Sequence, residues 1–148
     1  MSRQLRFCVR WSCRNVWQEL LLKKRVILAR QYIAAYYMEE MRHLCVEKVM
    51  LLLLDGRHRL MKEILLSKGT ANSSWVPVRT IFVEALRYEA VYMILIHNHP
   101  SGCPEPSRED LVITKQIKEA GELLGIPLSD HIIIGDKCYT SLREQQMM

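Results

Sequence analysis

An apolar run, Val91-Tyr92-Met93-Ile94-Leu95-Ile96, ends abruptly in His97-Asn98-His99-Pro100-Ser101-Gly102, and Asp110 follows, preceded by Ser107. Successive side chains of an extended strand face opposite sides, so His97 and His99 point one way and Asn98 the other. Two imidazoles roughly 6–7 Å apart at their backbones can share one metal ion. A carboxylate returning from a Pro/Gly-rich loop, here Asp110, can be the third ligand. Three protein ligands leave one coordination position open for water, the arrangement of a hydrolytic zinc site rather than a structural one. These residue types at this spacing read as a metal-dependent hydrolase.

The neighbouring elements have to place those side chains. Residues 26–44 read as a helix, with Ile27, Ala34, Tyr37, Met38 and Met41 as its apolar stripe. Residues 49–54 read as a buried strand, and Asp55-Gly56 turns the chain into a second strand near residues 59–66. A loop is expected over 69–74. Pro77 suits the start of a helix reaching about Tyr88, with Ile81, Ala85 and Leu86 facing inward. The strand carrying the histidines comes next. Pro100, Gly102, Pro104 and Pro106 force an irregular loop, after which Ser107 opens a helix that Gly125 closes. Ile113, Ile117, Ala120 and Leu124 recur along it at helical spacing. Residues 128–134 read as another strand, Gly135-Asp136 as a turn and 138–141 as a short return strand. The expected architecture is one α/β domain over residues 26–148, a mixed sheet with helices against it, preceded by a basic N-terminal arm over 1–25.

Composition narrows the class. The 49% hydrophobic and 25% charged content is that of an ordinary globular protein. The longest apolar runs are strand-sized, so no membrane span is expected. Five scattered cysteines without a C-x-x-C pair argue against a disulfide framework and for a reducing cytoplasm. The net charge of +5 is uneven, since the first thirty residues hold eight Lys/Arg and one acid. Arg3, Arg6, Arg10 and Arg14, interspersed with Trp11 and Trp17, could touch DNA, where phosphate contacts dominate affinity. A solvated basic tail, or the stump of an upstream region, is the plainer reading of the arm.

Asp110 has a second explanation. Ser107-Arg108-Glu109-Asp110 has the form of a capping box, which needs no metal. A His-x-His pair alone is also weak, since histidines at strand ends often only hydrogen-bond. The joint pattern is far more restrictive than its pieces. Asp130 and His131 could support the ligands or serve structure at a strand start, and His43 and His58 read as surface residues. Cys103 lies near enough to be a fourth ligand, which would close the site.

The pattern His97-x-His99-Pro100 … Ser107-x-x-Asp110 resembles the metalloprotease motif of the JAB/MPN+ (JAMM) superfamily. His97-Asn98-His99-Pro100-Ser101-Gly102, followed by Pro104-x-Pro106-Ser107-Arg108-Glu109-Asp110, is similar to its bacterial RadC branch. So are Leu52-Leu53-Leu54-Asp55, Val76-Pro77-Val78-Arg79, Leu124-Gly125-Ile126, Asp130-His131-Ile132-Ile133-Ile134-Gly135 and Tyr139-x-Ser141, and the likeness covers residues 30 to 146. Cys103 stands where the branch usually has Asp, and Thr80 where it usually has Glu.

The resemblance implies the MPN/JAB fold, a cytidine-deaminase-like curved mixed sheet flanked by helices. It implies that Zn²⁺ is held by His97, His99 and Asp110. It assigns proton transfer to a Glu just upstream of the first core strand, the place of Glu47. By residue type alone Glu63, Glu39 and Glu40 are rivals for that task. It also implies that Ser107 hydrogen-bonds the developing oxyanion. The implied substrate is a protein or peptide, cut at a peptide or isopeptide bond. The alternative the RadC name suggests is a DNA-repair-associated accessory module without peptidase activity.

Overall fold

The computed structural model describes residues 30–69 and 77–148. The basic arm, the first residues of the expected leading helix and the loop after Gly69 lie outside them. Helix α1 (Arg30–Met41) leads into the strands β1 (Glu47–Leu54) and β2 (Leu60–Gly69). Helix α2 (Val78–Arg87), strand β3 (Tyr92–Asn98), helix α3 (Arg108–Leu124), and strands β4 (Leu128–Ile134) and β5 (Tyr139–Ser141) complete the order. The strands form one sheet in the order β2-β1-β3-β4-β5, with β3 and β4 parallel and the other neighbours antiparallel.

Alternation along the central strands explains why helices cover both faces. Val49, Leu51 and Leu53 of β1, with Met93 and Leu95 of β3, pack against Ile81, Phe82 and Ala85 of α2 and Ile113 and Ile117 of α3. The intervening residues Met50, Leu52, Leu54, Ile94 and Ile96 face the other way, onto Ile33, Ala34, Tyr37, Met38 and Met41 of α1. A strand buried on both faces reads as a continuous apolar run, which is what β1 and β3 are. By the same alternation His97 continues the row Met93, Leu95 toward α3, while Asn98 falls on the α1 side. Asn98 is tied there by β1: its Oδ1 accepts from Lys48 N–H at 2.8 Å and its amide donates to the Val46 carbonyl at 3.1 Å.

Two inward residues expected of the helices differ. Leu86 is 56% exposed, because Phe82 is the residue one turn before it that fills the core. Leu124 is 47% exposed, at the last turn of α3, where the helix gives way to Gly125 in the left-handed conformation at φ 71°. Strand β2 extends three residues further than expected, to Gly69, because its pairing with β1 continues to Glu47. His43 and His58 are exposed, the latter stacked on Tyr92 with ring centroids 4.1 Å apart. Among the described residues no helix is long and apolar enough to cross a membrane.

Candidate metal centre

His97 is the penultimate residue of β3, fully buried, and its ring leaves the sheet toward the start of α3. His99 lies just past the strand, yet its N–H still bonds to the Ile134 carbonyl of β4 at 2.9 Å, so both histidines emerge on the same side. Their Nε2 atoms are 3.0 Å apart. Asp110, in the first turn of α3, brings Oδ1 to 3.3 Å from His97 Nε2 and Oδ2 to 3.3 Å from His99 Nε2. One ligand atom from each of the three residues lies within 4.8 Å of the others.

Asp110 reconciles the two explanations its sequence offered. Ser107 Oγ accepts from the Asp110 N–H at 3.1 Å, and Asp110 Oδ2 accepts from the Ser107 N–H at 2.6 Å, a complete capping box. That box aims the carboxylate at the histidines. Oδ1 is buried and receives no hydrogen bond among the described residues. A buried carboxylate oxygen without a donor is costly unless a cation stands beside it.

His99 supplies the matching half. Its Nδ1 is 2.9 Å from the Cys103 carbonyl, which only accepts, so Nδ1 carries the proton and Nε2 turns its lone pair to Asp110 and His97. Hydrogen bonding to Asp110, opposed by burial and aided by the Cys103 carbonyl and the charges of Asp110 and Glu47, raises the His99 pKa. Burial works against ionising Asp110, but the nearness of His97 and His99 and the Ser107 N–H outweigh it and hold its carboxyl well below the usual range. Each group favours a positive charge between them. Two imidazole nitrogens and a carboxylate oxygen fit a divalent ion of the zinc type.

The loop between His99 and Ser107 is fixed by close backbone contact. Gly102 adopts φ 79°, its N–H bonds to the His99 carbonyl at 2.9 Å, and its own carbonyl accepts from Asp136 N–H at 2.8 Å. A Cβ on Gly135 would stand 2.5 Å from that Gly102 carbonyl, so only glycine lets the two turns meet. Cys103 is exposed and is not among the three converging ligands; it contributes its carbonyl instead.

The other carboxylates are separated by the sheet. Val49 pairs with His97, so continuing that register places Glu47 opposite His99 and on the same face. Its charge is among those His99 feels. Glu63 pairs with Leu52, on the α1 face, where it acts on Tyr37. Glu40 is bound to Lys48 Nζ at 2.8 Å, and Glu39 lies 3.8 Å from Arg42 Nε.

Residues 27–147 match the family model of the RadC-like JAB domain. The chain belongs to that family. Relatives named "UPF0758 protein" cover it broadly. That of Desulforamulus reducens is 45% identical over 123 residues, 83% of this chain and 54% of that protein. That of Geobacter sulfurreducens is 54% identical over 95 residues, 64% of this chain and 42% of that protein. That of Enterococcus faecalis is 37% identical over 142 residues, 96% of this chain and 61% of that protein. The chain spans about half the length of these curated relatives.

This JAB domain supports its centre with residues that sequence reasoning did not resolve. His131 of β4 is fully buried, with Nε2 2.8 Å from His97 Nδ1 and Nδ1 2.6 Å from Thr114 Oγ1. Thr114 in turn donates to the Asp110 carbonyl at 2.6 Å. Burial, with the His97 imidazole beside it, pushes the His131 pKa well below its ordinary value. Asp130 does not join them. Its carboxylate accepts from Ser141 Oγ at 2.7 Å and Arg143 N–H at 3.3 Å, tying down the turn after β5. The signal for Thr114 was its place four residues after Asp110, one helical turn along the same face.

His131 reaches this side through an irregularity in β4. Met93 pairs with Leu128, but Ile94 pairs with Asp130, so Ser129 is an extra residue. From there His131 and Ile133 share the face of Leu95 and His97.

Proposed function

We propose that this chain is a zinc-dependent metallopeptidase of the JAMM type, hydrolysing a peptide or isopeptide bond. The observation that carries the reading is the buried Asp110 Oδ1, which receives no hydrogen bond among the described residues and stands 3.3 Å from a histidine nitrogen inside a three-residue cluster that could hold a metal ion. His97, His99 and Asp110 hold the ion. When bound, zinc supplies Lewis-acid chemistry: it lowers the pKa of a water to about 7 and polarises a carbonyl.

The remaining tasks fall to the chain itself. Glu47, opposite His99 at the sheet end, takes the proton from the attacking water and returns it to the leaving nitrogen. Such proton transfer typically contributes about 10²–10⁴ in rate. Ser107 Oγ accepts from the Asp110 N–H, which leaves its own proton to donate to the oxyanion of the tetrahedral intermediate. The Pro100–Pro106 loop holds His99 through the Cys103 carbonyl.

Elemental analysis and turnover of a peptide and isopeptide substrate library, on the native protein and on His97→Ala and Glu47→Gln, test this. One zinc per chain is expected in the native protein and Glu47→Gln and none in His97→Ala, with turnover lost in both variants. Equal zinc in native and His97→Ala protein, or full turnover in Glu47→Gln, overturns it.

A further inference from the structure

We infer that Thr114 and His131 are positioning residues for this centre, holding His97 in the tautomer with its proton on Nδ1 and its Nε2 lone pair toward the ion. The inference rests on the metal reading above. Its basis is the direction of a buried hydrogen-bond chain. The Asp110 carbonyl can only accept, and Thr114 has a single hydroxyl proton, which goes to that carbonyl at 2.6 Å. Threonine in a helix commonly bonds back to the carbonyl one turn earlier. At His131 Nδ1, 2.6 Å away, Thr114 Oγ1 must then act as acceptor, so the His131 proton sits on Nδ1. His131 Nε2 is left as an acceptor, and His97 Nδ1, at 2.8 Å, is its donor. His97 Nε2 is thereby unprotonated on the side of His99 and Asp110.

The opposite direction is coherent in itself but incompatible with binding. If Thr114 gave its proton to His131, then His131 Nε2 would donate to His97 Nδ1. His97 would carry its proton on Nε2, pointed at the other ligands. The Asp110 carbonyl fixes the choice. His97 and His131 are 0% and Thr114 1% exposed, so solvent does not reach the chain to reverse it.

Asp110 stands at both ends. Its carbonyl terminates the chain and its carboxylate faces the nitrogen that the chain prepares, 3.3 Å from His97 Nε2. The first turn of α3 therefore sets the position of one ligand and the protonation of another. Support of this kind typically changes metal affinity about 10–100-fold.

The test combines two measurements on the full chain. Nitrogen-15 NMR of the histidine rings in metal-free native protein should show His97 protonated at Nδ1, and Thr114→Val should lose that preference. Zinc affinity, measured by competition with a chelator, should fall about 10–100-fold in Thr114→Val and stay near native in Thr114→Ser, which restores the hydroxyl. Native zinc affinity in a folded Thr114→Val protein, or His97 protonated at Nε2 in the native protein, overturns the inference. A native protein that takes up no zinc at all would sink the metal reading, while the NMR measurement would still decide the direction of the chain. Should Thr114→Val not fold, the native spectrum and the Thr114→Ser affinity carry the decision.

Discussion

Asp110 is gripped by Ser107 from both directions, its N–H by the serine hydroxyl at 3.1 Å and its Oδ2 by the serine N–H at 2.6 Å. Only the first bond uses the serine side chain. Replacing Ser107 by Ala therefore removes one cap bond, costing about 1 kcal/mol of stability, and leaves the carboxylate held by the backbone. Zinc content should remain one per chain. On the proposed mechanism turnover falls by about 10²–10³, the usual loss of one oxyanion donor. Denaturant unfolding, elemental analysis and a rate assay on one variant separate these effects.

Metal should stabilise the fold through its ligands. At a free zinc concentration of about 100 times the dissociation constant, linkage gives roughly 2.7 kcal/mol. Thermal unfolding with and without chelator should show the shift in the native protein. His97→Ala, measured in the same way, should show almost none.

Acid response should differ between the metal-free and zinc-loaded forms. His131 is a base whose folded pKa is lowered, by burial first. Its contribution is present above the unfolded value of about 6.5 and is lost as pH falls below it, at up to about 1.4 kcal/mol per pH unit. His99 without metal has a raised pKa, through Asp110 first. Its contribution is complete below about 6.5 and is lost as pH rises through the folded value. Metal-free protein should therefore be most stable near pH 6.5 and weaken on either side. With zinc bound, His99 carries no extra proton, and stability should level off above that pH. Urea unfolding across pH 5 to 8 checks the two shapes.

The faces of the helices can be tested apart from any chemistry. Leu95, 1% exposed between β1 and the helices, should cost about 2–5 kcal/mol on replacement by Ala. Leu86→Ala, at 56% exposure, should change stability by no more than about 0.5 kcal/mol. Chemical denaturation of both variants checks that Leu95 lies in the core and Leu86 outside it.

The clustering of His97, His99 and Asp110 and the central strands were legible because they depend on local pattern. Two same-face histidines at the end of an apolar strand, and an acid at a helix start, can be read from spacing. The capping box and a place beside the histidines looked like rivals for Asp110 in sequence, since spacing does not tell that one carboxylate has an oxygen for each. Leu86 misled because apolar type alone does not say which of two neighbouring turns meets the sheet. Thr114 was hidden, and His131 left between two readings, for a different reason. Their alignment depends on strand pairing and on an extra residue in β4, neither of which is written in any short window.

That extra residue sets the facing of everything downstream of it in the strand. Ser129 puts β4 one step out of phase, and the phase decides whether imidazole or isoleucine meets His97. Drawing Ser129 into the ladder opposite Ile94 would rotate His131 into the oily layer beneath α1 and swing Ile132 to the side of His97. The centre would be left with all three of its ligands and none of the backing that aligns the first.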